Sequence, residues 1–466
     1  MKEIKFIMIV LCTIVTISCQ SDAAKADKLW LNNEFGKASE LYKKAANKDD
    51  AYAMWRLSIA YNNGDGVEYD EEMALNLLKR AANAGCPEAE CDLALAYMFN
   101  EYGIGEDKEK GKAMMDALVE RTDNPFVMTC YAGLLLDGSA PYEEDKDRAF
   151  EILDNIKDKN NPMYLRTMAL VYRNGTSKTN PNIDKAIDYF KKAFKNGNRY
   201  SAFNLYLDYI IGFEGLKADT AAAIDWLQKG IEANQTNCML AMSWICFSED
   251  NSFQKYHNIS RGMELLKSAA KHGSSKAYQL LGNEFYSGEH VGKDDIKAFD
   301  YMKKAADMRN ANGAYSLGWY YINGTGCEKN IERGIEIWKK AVEYGNAGAA
   351  NNLFCYYHGG AEGIPSGPED KELAKEYLLK AANLGDAMGC WNLGKYYYWG
   401  SDLFEKNDQL AFFYTKKAAD AGIVDACGAL AYCYREGIGC DKNPDKAKEY
   451  ENMTKAKEDL EKEHQK

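Results

Sequence analysis

The chain has 466 residues, 46% hydrophobic and 12% aromatic, which is enough apolar mass for an extensive core and excludes long disorder. Its formal net charge is −12 and no basic stripe runs through it, so a surface built to neutralise a phosphate backbone is excluded and nucleic acid is not an expected partner.

Residues 1–18 open with Lys2 and Lys5, continue as an apolar run from Phe6 to Ile17 and end at Ser18. The run is shorter than the roughly 20 apolar residues that span a bilayer, so it reads as an export signal and not as part of the fold. The four residues Thr16 to Cys19, TISC, resemble a bacterial lipobox with Thr16 in place of the usual Leu. That resemblance implies lipid attachment at Cys19, a membrane anchor, and a place in the bacterial cell envelope at the outer membrane. The plainer alternative is a cleaved signal that leaves Cys19 an ordinary thiol. Residues 19–28 are small and polar and are expected to form a tether. Residues 29–49, beginning LWLNNEFGKASELYKKAA, are expected to form an N-terminal capping hairpin.

Residues 50–451 repeat. The stretch Asn312 to Gly345 carries two helical apolar patterns around a turn with Gly324 and Gly326, and is read as a helical hairpin. In its first helix Leu317, Gly318 and Tyr321 put a large residue, a hole and an aromatic on one face; in its second Ile335, Trp338, Ala341 and Val342 form the matching stripe. The slot of Tyr321 recurs at Tyr61, Tyr97, Leu135, Tyr172, Tyr209, Cys246, Phe285, Tyr357, Tyr397 and Tyr434, at spacings of 36–40 residues. Four residues before each stands an apolar residue, most often Leu. Such a period means units whose cores exist only between neighbours, so the expected fold is all-α, an α-α superhelix of about eleven stacked hairpins. The longest interruption is Gly359 to Pro368, expected to be a joint or a protruding loop. Residues 452–466 are charged and are expected to be a solvated tail of the last helix.

Segments such as AMGCWNLGKYYYWG (387–400) and ACGALAYCYREGIGCDKNPDKAKEY (426–450) resemble the Sel-one-like repeat, a relative of the tetratricopeptide repeat. The copies around Glu120–Arg121 and around residues 248–258 depart furthest from that pattern. The resemblance implies a non-enzymatic adaptor within protein assemblies. In a cysteine-rich branch of that family, bridges join cysteines eight residues apart. Here Ala382 and Ala419 stand where the partners of Cys390 and Cys427 would be, so the eleven cysteines beyond the signal are expected to be small apolar residues in the core.

Catalytic signals are few. The five histidines are scattered, no cysteine or histidine set has zinc spacing, and no cofactor or metal is expected. The paired turn glycines lack the strand that a phosphate loop needs. Ser252 to Lys255 matches S-x-x-K without a K-T-G element, which keeps a cell-wall or β-lactam-type serine enzyme as an alternative. Positions two before, two after and five after the Leu slot are expected on the concave side. They collect Trp244, Phe247, Tyr286, Tyr315, Trp319, Trp391, Lys395, Tyr398, Tyr432 and Arg435, with Trp55 in the N-terminal half. Aromatics interspersed with Lys and Arg suit a protein or peptide partner, and a glycan-binding module is the further alternative.

Overall fold

The computed structural model describes residues 21–464, which form 24 helices in paired hairpins, two short 3-10 turns and no strand. They divide into two compact units, with the boundary between Ala277 and Tyr278. The expected all-α repeat architecture is present: a terminal pair, Asp22–Leu31 with Phe35–Ala46, and then eleven hairpins from Ala51–Asn63 onward. Residues 1–20, and with them the signal and Cys19, lie outside the described residues. The expected tether is helical from Asp22, where Ser21 caps the helix and Ala23 and Ala26 are buried, so the terminal hairpin starts about seven residues earlier than the sequence pattern placed it. Three alanines in DAAKADKLWL supply helix propensity and a small packing face that a reading of polarity alone overlooks. The last helix, Pro444–His464, continues through the charged tail.

One backbone hydrogen bond recurs in each of the eleven repeat hairpins. The residue that caps the second helix donates its N–H to the carbonyl of the slot residue defined above. The donor–acceptor pairs are Asp70–Tyr61, Asp107–Tyr97, Asp145–Leu135, Asn182–Tyr172, Asp219–Tyr209, Asn258–Cys246, Asp294–Phe285, Asn330–Tyr321, Asp370–Tyr357, Asn407–Tyr397 and Asn443–Tyr434, all at 2.6–3.1 Å. The same Asp or Asn turns its side-chain oxygen to the N–H three residues on, as Asn330 Oδ1 does for Arg333 at 2.9 Å. One residue therefore both closes the turn and satisfies an orphan donor of the second helix. Slot rings also stack on an aromatic seven residues beyond the cap, as in Tyr357–Tyr377 at 5.9 Å and 4°, and Tyr397–Tyr414 at 5.9 Å and 8°.

The hole at Gly318 is filled from within its own hairpin. A methyl there would collide with the Trp338 indole, which is fully buried and donates its Nε1–H to the Tyr315 carbonyl at 3.1 Å. Between hairpins the tight contact is at the second turn glycine. A Cβ on Gly66, Gly326 or Gly439 would overlap the backbone carbonyl of Phe35, Asp295 or Asp408, the first residue of the preceding hairpin's second helix. These glycines are required by close approach as well as by their positive φ. The turn at Gly359 to Pro368 folds back instead of protruding: a bridge joins Ala361 to Ile364, Gly367 lies against the Tyr356 ring, and the unit boundary falls elsewhere.

In the amino-terminal unit the chain returns upon itself. Asp65 is fully buried in the first repeat's turn and meets Arg199, 134 residues later, with Oδ1 at 3.0 Å from Nη1 and Oδ2 at 2.8 Å from Nη2. His272 Nδ1 stands 3.7 Å from the same carboxylate. Among the described residues no helix is long and apolar enough to cross a membrane.

Two variants separate these effects by urea denaturation. Asn330→Ala removes a cap and should cost about 1 kcal/mol. Gly326→Ala adds left-handed strain and an overlap with the Asp295 carbonyl, and should cost about 3 kcal/mol. Equal costs would show that the close approach does not constrain the stack.

Candidate functional site

In the carboxy-terminal unit two successive first helices and the second helix between them frame a cleft of about 450 Å³. Trp391, Lys395, Tyr398 and Trp399 come from Ala387–Trp399, Tyr432 and Cys433 from Val424–Glu436, and Thr415 from Asp408–Asp420. The helical spacing puts Trp391, Lys395 and Tyr398 on one face. Gly394 opens the floor, where a side chain would strike the Thr415 hydroxyl. Lys395 Nζ lies 5.2 Å from the Trp391 ring centre, and no carboxylate pairs with it among the described residues. Arg435 flanks the cleft beside Tyr432 and pairs with Glu451 at 3.3 Å. Trp399 is 76% exposed with its edge against Tyr398 at 4.7 Å. Four aromatic rings left facing water around an unpaired ammonium make a surface with the character of an interface core.

The other sequence-predicted residues are dispersed. Tyr315 and Trp319 pack around the buried Trp338, stacked at 6.4 Å and edge-on at 5.2 Å, with Gly363 against the outer edge of Trp319. Tyr286 is exposed beside Tyr320 at 5.4 Å. In the amino-terminal unit Phe247 covers Gly262 within its own hairpin, while Trp244 is 60% exposed against Phe253. Trp55 is buried, and its indole N–H donates to Asp92 Oδ2 at 2.6 Å. The register rule missed Trp399, one residue past a concave position, in a turn ending at Gly400. It would have marked Arg166 and Arg173, which share the frame of Trp391 and Tyr398 but are not aromatic.

A second cavity, of about 340 Å³, lies inside the amino-terminal unit. Trp30, Tyr52, Trp55, Arg56, Phe126 and Tyr200 line it together with Glu88 and the asparagines at 63, 161 and 198. Its loop wall, Gly197 to Tyr200, is held by the Arg199–Asp65 pair. Beside it, loss of solvent pushes the Asp92 carboxyl up to about 7; the Trp55 hydrogen bond opposes the shift, and the charges of Glu101 and Glu88 add to it.

The S-x-x-K element sits in the turn before Ile259–Lys271 with both side chains exposed; the Ser252 N–H donates to Asp250 at 2.7 Å and Lys255 Nζ lies over Tyr256 at 4.7 Å. Among the described residues no group of three His, Cys, Asp or Glu could hold a metal ion. Cys390 and Cys427 direct their thiols at the carbonyls of Ala382 and Ala419, each at 3.8 Å.

The Sel1 repeat matches this chain at residues 35–50, 51–86, 87–115, 167–198, 209–235, 238–274, 275–310, 311–346, 347–386, 387–423 and 424–450. Residues 116–166 fall outside those matches and still form hairpin helices. Among curated proteins the chain is 34% identical over 92 residues to a chitin synthase regulator of Saccharomyces cerevisiae, covering 20% of this chain and 13% of that protein. It is 29% identical over 86 residues to a cytochrome c oxidase assembly factor of Xenopus tropicalis, covering 18% and 37%. The chain thus spans a minor part of the curated relatives it matches. Among solved structures it is similar to a protective antigen of uropathogenic Escherichia coli with an SLR fold, at 24% identity, 90% coverage of both chains and a TM-score of 0.42. A Sel1 repeat protein from Oxalobacter formigenes aligns at 22% identity over 56% of this chain and 99% of its own, with a TM-score of 0.46.

The Asp92 carboxyl is held above its ordinary value of 3.8, so the folded chain binds that proton more tightly than the unfolded chain. Its contribution is full at low pH and is lost as pH rises through about 7. Asp92→Asn keeps an acceptor for Trp55 and removes the charge. Thermal melts at about pH 5 and about pH 8 should differ less in this variant than in the parent chain; an unchanged difference would remove Asp92 as the source.

Proposed function

This chain belongs to the Sel1 repeat family, whose repeats build protein-interaction scaffolds, and from that premise we propose a non-enzymatic, lipid-anchored adaptor that holds a protein partner in the cleft of its carboxy-terminal unit. The observation that carries this reading is the ring set Trp391, Tyr398, Trp399 and Tyr432 around the unpaired Lys395. Trp and Tyr offer large contact area with few rotatable bonds to freeze, and a lysine already resting on a ring gives a polar anchor at low entropic cost. The repeat frame supplies rigidity, because each ring stands on a helix whose own core is closed by the next.

The anchor follows from the TISC sequence ending at Cys19 and gives the proposed place, the outer membrane of a bacterial envelope. A glycan is the second reading, favoured by the same exposed aromatic walls. It is separated from the first by whether a glycan array or a protein is retained by the cleft.

Affinity capture from the producing cell's membranes tests the adaptor. Trp391→Ala with Trp399→Ala should lower recovery of the partner at least about tenfold, since each central Trp is worth about 2 kcal/mol or more. Equal recovery would remove the cleft from the interaction. Metabolic labelling with an alkyne fatty acid tests the anchor. Cys19→Ser should abolish the label and release the chain from the membrane fraction, and an unlabelled parent chain would end the lipoprotein reading.

A further inference from the structure

The cavity inside the amino-terminal unit is built around one arginine. Arg56 Nε is 2.9 Å from the Tyr42 hydroxyl and 3.2 Å from Asp27 Oδ1, so one edge of its guanidinium is fixed. Its faces are fixed as well, with the Trp30 ring centre 4.9 Å and the Trp55 ring centre 5.8 Å away. Neither terminal nitrogen makes a hydrogen bond among the described residues, although the side chain is only 17% exposed and lines the cavity. A desolvated guanidinium with its outer fork unused is a preorganised receptor for a planar oxyanion.

The walls select among oxyanions. Trp30, Tyr52, Trp55, Phe126 and Tyr200 present ring faces and edges to the cavity, which calls for an apolar or aromatic body attached to the anionic group. Glu88 faces the same space, with Oε1 held by the Asn124 amide at 2.9 Å, so a second negative charge would be repelled and a polyanion or phosphate dianion is disfavoured. The volume, about 340 Å³, is at the small end for ligand pockets and fits a single aromatic residue with its carboxyl group. The Arg199–Asp65 pair holds one wall of this cavity against the first repeat's turn.

We propose that this cavity binds a carboxylate carried on an aromatic body, gripped by the terminal nitrogens of Arg56 between Trp30 and Trp55. The carboxylate is either that of a free organic acid or the carboxy-terminus of a polypeptide. The site is separate from the cleft of the proposed adaptor function and does not depend on it.

Isothermal titration of the full chain with N-acetyl-L-phenylalanine and with its amide tests the idea. The acid should bind at least tenfold more tightly than the amide. Arg56→Lys, which keeps the charge and loses the fork, should weaken the acid at least tenfold, while Trp399→Ala leaves it unchanged. A pentapeptide of four alanines and a carboxy-terminal phenylalanine, acetylated at its amino end, assigns the source. Tenfold tighter binding than the small acid points to a chain terminus, and equal or weaker binding points to a free acid; both sustain the carboxylate site. Equal affinity for acid and amide, no heat from either, or inorganic phosphate binding as tightly as the acid would overturn the proposal. The acid–amide comparison uses the parent chain and stands even where Arg56→Lys fails to fold.

Discussion

A single backbone hydrogen bond, from the N-cap of each second helix to the slot carbonyl of the first, is the constraint on which the architecture rests. It fixes how far the second helix starts from the end of the first, whatever the length and composition of the turn between them. The turn before Asn258 has no glycine pair and the one before Asp370 runs through a long excursion, yet both close on the same bond. Because the donor is always Asp or Asn, the side chain also satisfies the third N–H of the helix, and closure and capping cannot be lost separately by mutation of that residue. With every repeat hairpin closed alike, neighbours can stack in one register, and at Gly66, Gly326 and Gly439 they interlock through the second turn glycine.

Interlocking alone does not make a site. In the amino-terminal unit the repeat geometry brings the turn of Asp65 back to Arg199 and His272, and a buried ion pair forms between residues that share no hairpin. Taking both charges out of water is costly, so the pair contributes less to stability than its Coulomb attraction suggests, and its main consequence is geometric. It holds the Gly197–Tyr200 segment in place as one wall of a half-open cavity. Beside that cavity, desolvation raises the Asp92 carboxyl.

The carboxy-terminal unit uses the same registers differently. At Trp319 the ring has a fully buried Trp338 beneath it and Gly363 at its edge, so it is half consumed by packing. At Trp391 the corresponding position in the second helix is Thr415, whose hydroxyl meets Gly394 but which offers no ring to pack against, and Trp391 is left beside an open cleft. One substitution in a second helix, aromatic to small, thus separates a core aromatic from one available to a partner.

The repeat, its period, the hairpin and the all-α class were legible in the sequence because they follow from local spacing: a 3.6-residue apolar pattern, a turn signal, and recurrence every 36–40 residues. The Asp or Asn before the second helix of each of the eleven repeats was equally legible, and reading it would have located those second-helix starts. The helical start at Asp22 was obscured by its polar surface residues. Of the candidate site, the helix face carrying Trp391, Lys395 and Tyr398 could be read from the register, and so could Tyr432. Which rings stay free could not, since that depends on what the facing helix places opposite each one. The Arg56 cavity was invisible, because its walls come from the terminal pair and five repeat hairpins whose meeting depends on the accumulated rotation of the stack, a quantity set by packing and written in no single repeat.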